Sequence, residues 1–265
     1  MLAFIIGMHI ILQKVDNGRA HKALIALLLA AFVLVALTTC AAIANNLLIV
    51  KLSLMVSLSG GLLAQEMAAG LKGEAINVLE EWPESFIFLI ADTAIVWRAW
   101  ALWAENRVIK WMLLVILLAD IGVNIADAVV DTKADLSFIQ NTVTLDWLST
   151  VLNLAVNIVA TLLIAYRAWT HHQTTHAILQ SKRTPVEVIL LLMIESGAIF
   201  GVVQVTNITF DALDTHATEF SPVDTAKSLL AQLYIYSAVL NPVALVILIH
   251  TGNTYEHSFH LEDVT

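Results

Sequence analysis

"DTAIVWRAWALWAENR", residues 92–107, sets an aspartate and an arginine six positions apart among three tryptophans, inside one of the most apolar stretches of the chain. Charges persist in such a segment only where a bilayer interface, a partner or a water-filled space receives them. The surrounding composition points the same way. Apolar residues make up 59% of the chain and charged residues 13%, with a mean hydropathy of +0.82, whereas soluble domains carry roughly 25% charged residues. The sequence therefore predicts an integral membrane protein. At about 20 apolar residues per helical span, the 265 residues are filled by spans and short connections, and 1–265 reads as a single transmembrane bundle domain.

Outward from the quoted stretch, apolar windows predict spans at 23–46, 85–104, 111–130, 147–168, 186–206 and 226–249. A shorter run over 1–12 precedes them. Twelve residues rise only about 18 Å, short of a hydrocarbon core of about 30 Å. It reads as the inner half of a first helix whose start is cut short, since it lacks the basic start and cleavage site of a signal peptide. The expected fold is all-α: a polytopic bundle of seven transmembrane helices, the first one truncated.

The connections alternate in charge. Nine of the thirteen Lys and Arg fall at "QKVDNGRAHK", Arg98, "ENRVIK", the 167–183 stretch and the tail. The connections 47–84, 131–146 and 207–227 hold the other four, together with twelve acidic residues. The positive-inside rule puts the basic set in the cytoplasm, so the N-terminus is expected outside and the 250–265 tail inside. The 47–84 connection is itself apolar and reads as an outer interfacial or re-entrant segment rather than a plain loop. Were it to cross fully, the topology upstream would invert.

Arg98 lies about 9 Å from the inner end of its span by helical rise, within snorkelling reach of the headgroups. Trp97, Trp100 and Trp103 make an interfacial belt beside it. "AYRAWTHH" repeats the arrangement with Tyr166, Arg167 and Trp169. Asp92 is deeper, where a lone carboxylate costs roughly 2.5 to 3.5 kcal/mol. Arg98 is turned roughly 120° away around the helix, so another helix is expected to supply the partner. Glu195, Asp120, Asn124, Asn153, Asn157 and Asn241 all sit within spans and are the candidates for a polar interior or ligand pocket. Their alternative role is interhelical hydrogen-bond glue around neutral carboxyls.

Gly197 and Gly201 form GxxxG, which permits close helix contact within the chain or between protomers. Asn207-Ile-Thr is a glycosylation sequon, expected just after a span on the outer side. The lone cysteine, Cys40, excludes an internal disulfide. No mid-span lysine in the last helix suits a retinal Schiff base, and no P-loop, dinucleotide motif or nucleophile elbow occurs. His171, His172 and His176 form HHxxxH on an inner loop, read as solvated rather than metal-binding. No enzyme activity, cofactor or metal is expected, and the net charge of −9 argues against nucleic acid as a partner.

"IADTAIVWRAWALW", "NLAVNIVATLLIAYRAW" and "ILLLMIESGAIF" resemble, in order, motifs of a family of seven-span membrane proteins of mushroom-forming fungi that carries a domain of unknown function. The match falls on Asp92 with Trp97 and Arg98, on Asn157 through Arg167, and on Glu195-Ser196-Gly197. It covers roughly residues 85–206 well and the last span loosely. The resemblance implies a seven-helix fold in a plasma membrane or endomembrane, and no activity. The functions in view are a receptor or sensor with a polar intramembrane pocket for a small-molecule ligand, a small-molecule or ion carrier, and a homo-oligomeric, membrane-organising protein. In each the lipid bilayer is the constant partner.

Overall fold

A computed structural model describes residues 6, 19–51, 61–137, 143–176, 185–214 and 222–262. They form six helices: α1 (Arg19–Val50), α2 (Gly61–Leu102), α3 (Arg107–Ser137), α4 (Val143–His176), α5 (Pro185–Asp214) and α6 (Pro222–Glu262). Helix is the form an open-chain segment takes in lipid, because it satisfies every backbone N–H and C=O within itself. The tight α2–α3 connection shows the local logic. Asn106 caps α3, its Oδ1 accepting from the backbone N–H of Val108 at 3.0 Å and of Ile109 at 3.4 Å.

Five helices contain a segment long and apolar enough to cross a membrane: Ile25–Val50, Val78–Leu102, Arg107–Ala134, Leu145–Gln173 and Glu187–Leu213. The chain is thus a multi-pass, all-helical membrane protein. Among the described residues the count is six helices, five of span character, against the seven expected. The expected span at 226–249 lies within α6, which runs on as helix to Glu262 through the expected tail. The run over 1–12 falls outside the described residues apart from residue 6.

The largest departure from the sequence reading concerns 47–84. Residues 61–84 are the first half of α2, continuous with the span that carries Asp92. Neither a loop nor a separate re-entrant element forms there, because the helical repeat runs unbroken through Pro83. Proline lacks the N–H that would bond the carbonyl one turn back, which bends a helix more readily than it ends one when packing supports both sides. At 1.5 Å per residue a 42-residue helix is about 63 Å long, twice a hydrocarbon core of about 30 Å.

α2 is also the central helix, packed against α1, α3, α4 and α6. Its span has the lowest mean hydropathy of the five, 1.5 against 2.6 for α1. Two apolar clusters hold the bundle. One joins Leu28, Ile87, Phe200, Ile235 and Val243 of α1, α2, α5 and α6. The other joins Ile95, Ala99, Leu113, Val156, Ile164 and Leu190 of α2, α3, α4 and α5. Large apolar side chains such as Leu29, Val115, Leu162 and Val202 cover the outside, as expected where lipid is the solvent.

Candidate functional site

Immediately beyond the second apolar cluster, α2, α3 and α4 each turn a polar side chain inward. Asp92, Asp120, Asn124 and Asn153 are all buried, and Asp120 is fully enclosed. The register explains the meeting: one turn back from Ile95 along α2 lies Asp92, and one turn back from Val156 along α4 lies Asn153. On α3, Asp120 and Asn124 are four apart and share a face. Asn124 Nδ2 donates to Asp120 Oδ1 at 3.0 Å and to the Asp120 carbonyl at 2.9 Å. In one amide orientation Asn153 accepts from Asn124 at 3.0 Å. Turned over, its nitrogen donates to Asp120 Oδ1 at 2.6 Å and to Asp92 Oδ2 at 3.2 Å, which gives both carboxyls a donor. We adopt the second orientation, since the first points an oxygen at two acceptors. The Asp92 and Asp120 carboxyls thus meet at the Asn153 nitrogen. Asp120 Oδ2 receives no donor N–H or O–H.

The network continues sideways. Tyr234 of α6 lines the same cavity wall as Asn153, and its hydroxyl accepts from Gln204 Nε2 of α5 at 3.4 Å. Gln204 Oε1 accepts from Asn157 Nδ2 at 2.9 Å, and the same Nδ2 reaches the Gly197 carbonyl at 3.2 Å. Thr161 donates to Asn157 Oδ1 at 3.3 Å. Phe88 and Phe200 stack on the Tyr234 ring at 4.4 and 5.8 Å. Polar side chains thus link α2 through α6 across the bundle.

On the far side of Asn124 and Asn153 from the apolar cluster lies a cavity of about 440 Å³. Its wall carries Glu81, Glu84, Asp127, Asp131 and Asp146, and the two asparagines and Tyr234 form part of its lining. Ser149 donates to Asp127 Oδ2 at 2.7 Å, while Asp127 Oδ1 has no donor. Oxygens of Asp127, Asp131 and Asp146 lie within 4.8 Å of one another, close enough to share a cation. Among the described residues no lysine or arginine lines the cavity; Lys227, paired with Asp211 at 2.9 Å, acts on Asp146 by charge. Three tiers therefore stack along α2, α3 and α4: an apolar seal, a buried polar layer and an acidic chamber. Sequence reasoning found the polar layer from charges at span depth. It missed Gln204 and the chamber, whose acids fall in the outer connections or, for Asp127, near the end of the expected 111–130 span.

Glu195 and Asn241 do not join this network. Glu195 is exposed at mid-span and Asn241 is buried beside it, both lining a separate cleft between α5 and α6. The two "RAW" ends are one structure rather than two independent belts: Trp103 stacks on Tyr166 at 5.9 Å, Arg167 lies over the Trp103 ring at 5.6 Å, and Trp103 Nε1 donates to the Leu163 carbonyl at 3.2 Å. Lys110 lies over Trp100 at 5.6 Å. Trp97 and Trp169 are exposed, and Arg98 is half-buried. GxxxG packs within the chain, since a Cβ on Gly197 would collide with the Thr161 hydroxyl and one on Gly201 would meet Asn157 Nδ2 at 3.3 Å. Asn207 lies inside α5 rather than after it, and the Thr209 hydroxyl of the sequon is bonded to the Val205 carbonyl at 2.7 Å. A helical sequon inside a span is a poor glycosylation acceptor. His171 and His172 are in α4, not a loop, and His172 Nδ1 meets Glu187 at 2.7 Å. No family model, curated protein or solved structure matches the chain.

Proposed function

We propose that the protein is a seven-helix membrane receptor or sensor, N-terminus outside, whose ligand is a small cation or small cationic molecule held in the acidic chamber. One observation carries this reading: a 440 Å³ cavity with five carboxyl side chains in its wall has as part of its lining Asn124 and Asn153, members of a hydrogen-bonded network that touches five helices. Carboxyl oxygens recognise cations, and an acidic cleft between low-dielectric walls concentrates them. A ligand bound on the floor alters what Asn124 and Asn153 bond to. The helices that share the network are the elements such a change biases. The apolar cluster of Ile95, Leu113 and Val156 closes the inner side, as a receptor requires. The fungal resemblance is compatible with this reading and adds no activity to it.

The test is binding to the full chain in lipid nanodiscs. Calcium, magnesium, spermidine and choline are each titrated while the thermal midpoint is followed. A ligand that raises the midpoint of the native chain saturably and fails to do so for Asp127→Asn with Asp146→Asn supports the reading. Equal shifts in both proteins, or none with any cation, reject it. The meeting of Asp92 and Asp120 at one asparagine favours a second reading, a proton-coupled carrier, because intramembrane carboxyls mark proton relays. Proteoliposomes decide between them: cation uptake driven by a pH gradient and abolished by Asp92→Asn identifies a carrier.

A further inference from the structure

The cleft between α5 and α6 lies away from the acidic chamber and has a chemistry of its own. Its volume is about 380 Å³, and its walls are largely apolar, with Leu192 and Ile199 among them. Four polar side chains interrupt them: Glu195 and Ser196 of α5, Ser237 and Asn241 of α6. Asn241 is 8% exposed, and its Oδ1 has no donor. Glu195 is exposed and makes no hydrogen bond or ion pair with the described residues. The serine protons are already engaged, Ser196 Oγ donating to the Met193 carbonyl at 3.1 Å and Ser237 Oγ to the Tyr234 carbonyl at 2.8 Å. Only lone pairs of these hydroxyls remain for the cleft. Glu195, Asn241 Oδ1 and both serines therefore present acceptors.

Acceptors outnumber donors here, the Asn241 amide nitrogen being the donor that these four side chains offer the cleft. A buried acceptor without a donor is unfavourable, and more so in hydrocarbon than beside water. Glu195 is the ninth residue of the span Glu187–Leu213, about 12 Å along it by helical rise and within its apolar length. Among the described residues a second copy offers arginines only nearer the span ends, Arg98 four and Arg167 six residues from theirs against eight for Glu195. The occupant must come from the lipid phase with a donor head and an apolar body, sized to a cleft of this volume.

We propose that this cleft binds a lipid-soluble long-chain amine, its ammonium between the Glu195 carboxyl and Asn241 Oδ1 and its chain along Leu192 and Ile199. The ammonium supplies three donors to a site richer in acceptors than in donors and pairs with the Glu195 carboxyl. The site is reached sideways from the bilayer, so it is independent of any ligand in the acidic chamber.

Photolabelling of the full chain in nanodiscs tests it. The probe is a photoactivatable, alkyne-tagged long-chain primary amine, compared with its N-acetyl counterpart and with a photoactivatable sterol alcohol. The amine is expected to label peptides of α5 and α6, with competition by unlabelled amine and about tenfold weaker labelling in Glu195→Gln, the effect of losing one charge-assisted contact. Asn241→Leu is expected to weaken it similarly, and both variants should keep the native thermal midpoint within a few degrees. Equal labelling by the N-acetyl probe, equal labelling of Glu195→Gln, or stronger labelling of the same peptides by the sterol overturns the proposal. So does a chain-to-chain crosslink at Glu195 that excludes the amine.

Discussion

Asp120 is the residue on which the buried network turns. It accepts from Asn124 and Asn153, the latter also reaching Asp92, all without exposure to solvent. Asp120→Asn keeps the shape and an acceptor oxygen. Asp120→Leu leaves the Asn124 amide without its side-chain acceptor, and an unsatisfied buried group costs about 1 to 3 kcal/mol. Thermal unfolding of the purified chain should place Asp120→Asn close to the native protein and Asp120→Leu well below it. Gly197 offers a steric counterpart. A methyl there meets the Thr161 hydroxyl, and overpacking typically costs about 1 to 3 kcal/mol. Gly197→Ala should lower the thermal midpoint, and adding Thr161→Ala should restore part of the loss, since neighbours in contact couple.

At the scale of the element, α4 and α5 are joined by Asn157, which bonds Gln204 and the Gly197 carbonyl. Interhelical hydrogen bonds in membranes average about 0.6 kcal/mol, with a maximum near 1.7. Asn157→Leu should therefore weaken the α4–α5 contact modestly, measured as faster hydrogen exchange in α5 with α2 and α3 unchanged. The sequence carried this pairing only in part. Asn153 and Asn157 share a helix face by spacing alone, so their common inward direction was readable. Gln204 was not, because one amide among valines has no periodic signal and its partner lies 47 positions away. α2 misled for a physical reason. Residues 61–77 mix apolar side chains with Glu66, Lys72 and Glu74, so a hydropathy window ends the span there, although nothing in them stops a helix. Glu195 and Asn241 stand apart from the network for a different reason: hydropathy reports depth in the bilayer and is silent about which way around a helix a side chain points.

For the whole molecule, charge bias predicts which ends of the helices face the cytoplasm. Single cysteines at Asn106 and Lys133, in a Cys40→Ala background, test it on intact cells with a membrane-impermeant maleimide. Labelling at 133 and protection at 106 is expected for an outer acidic chamber; the reverse pattern puts the chamber inside. The membrane class was readable from composition, and the order of helices from the hydrophobic runs. The three-tier stacking was not, since it depends on the antiparallel register of α2, α3 and α4.

The central position of α2, combined with its low hydropathy, bears on biosynthesis. Its span carries Glu80, Glu81, Glu84, Asp92 and Arg98, and it is the least apolar of the five. Each central acid opposes partitioning by roughly 2.5 to 3.5 kcal/mol, and the side chains that accommodate Asp92 belong to α3 and α4, still unmade when α2 leaves the ribosome. At about 5 to 20 residues per second, the 51 residues between Leu102 and Asn153 take a few seconds to translate. For that interval α2 must be sheltered by the insertion machinery or by α1, and nascent chains ending before Asn153 should remain extractable by alkali while longer ones resist it.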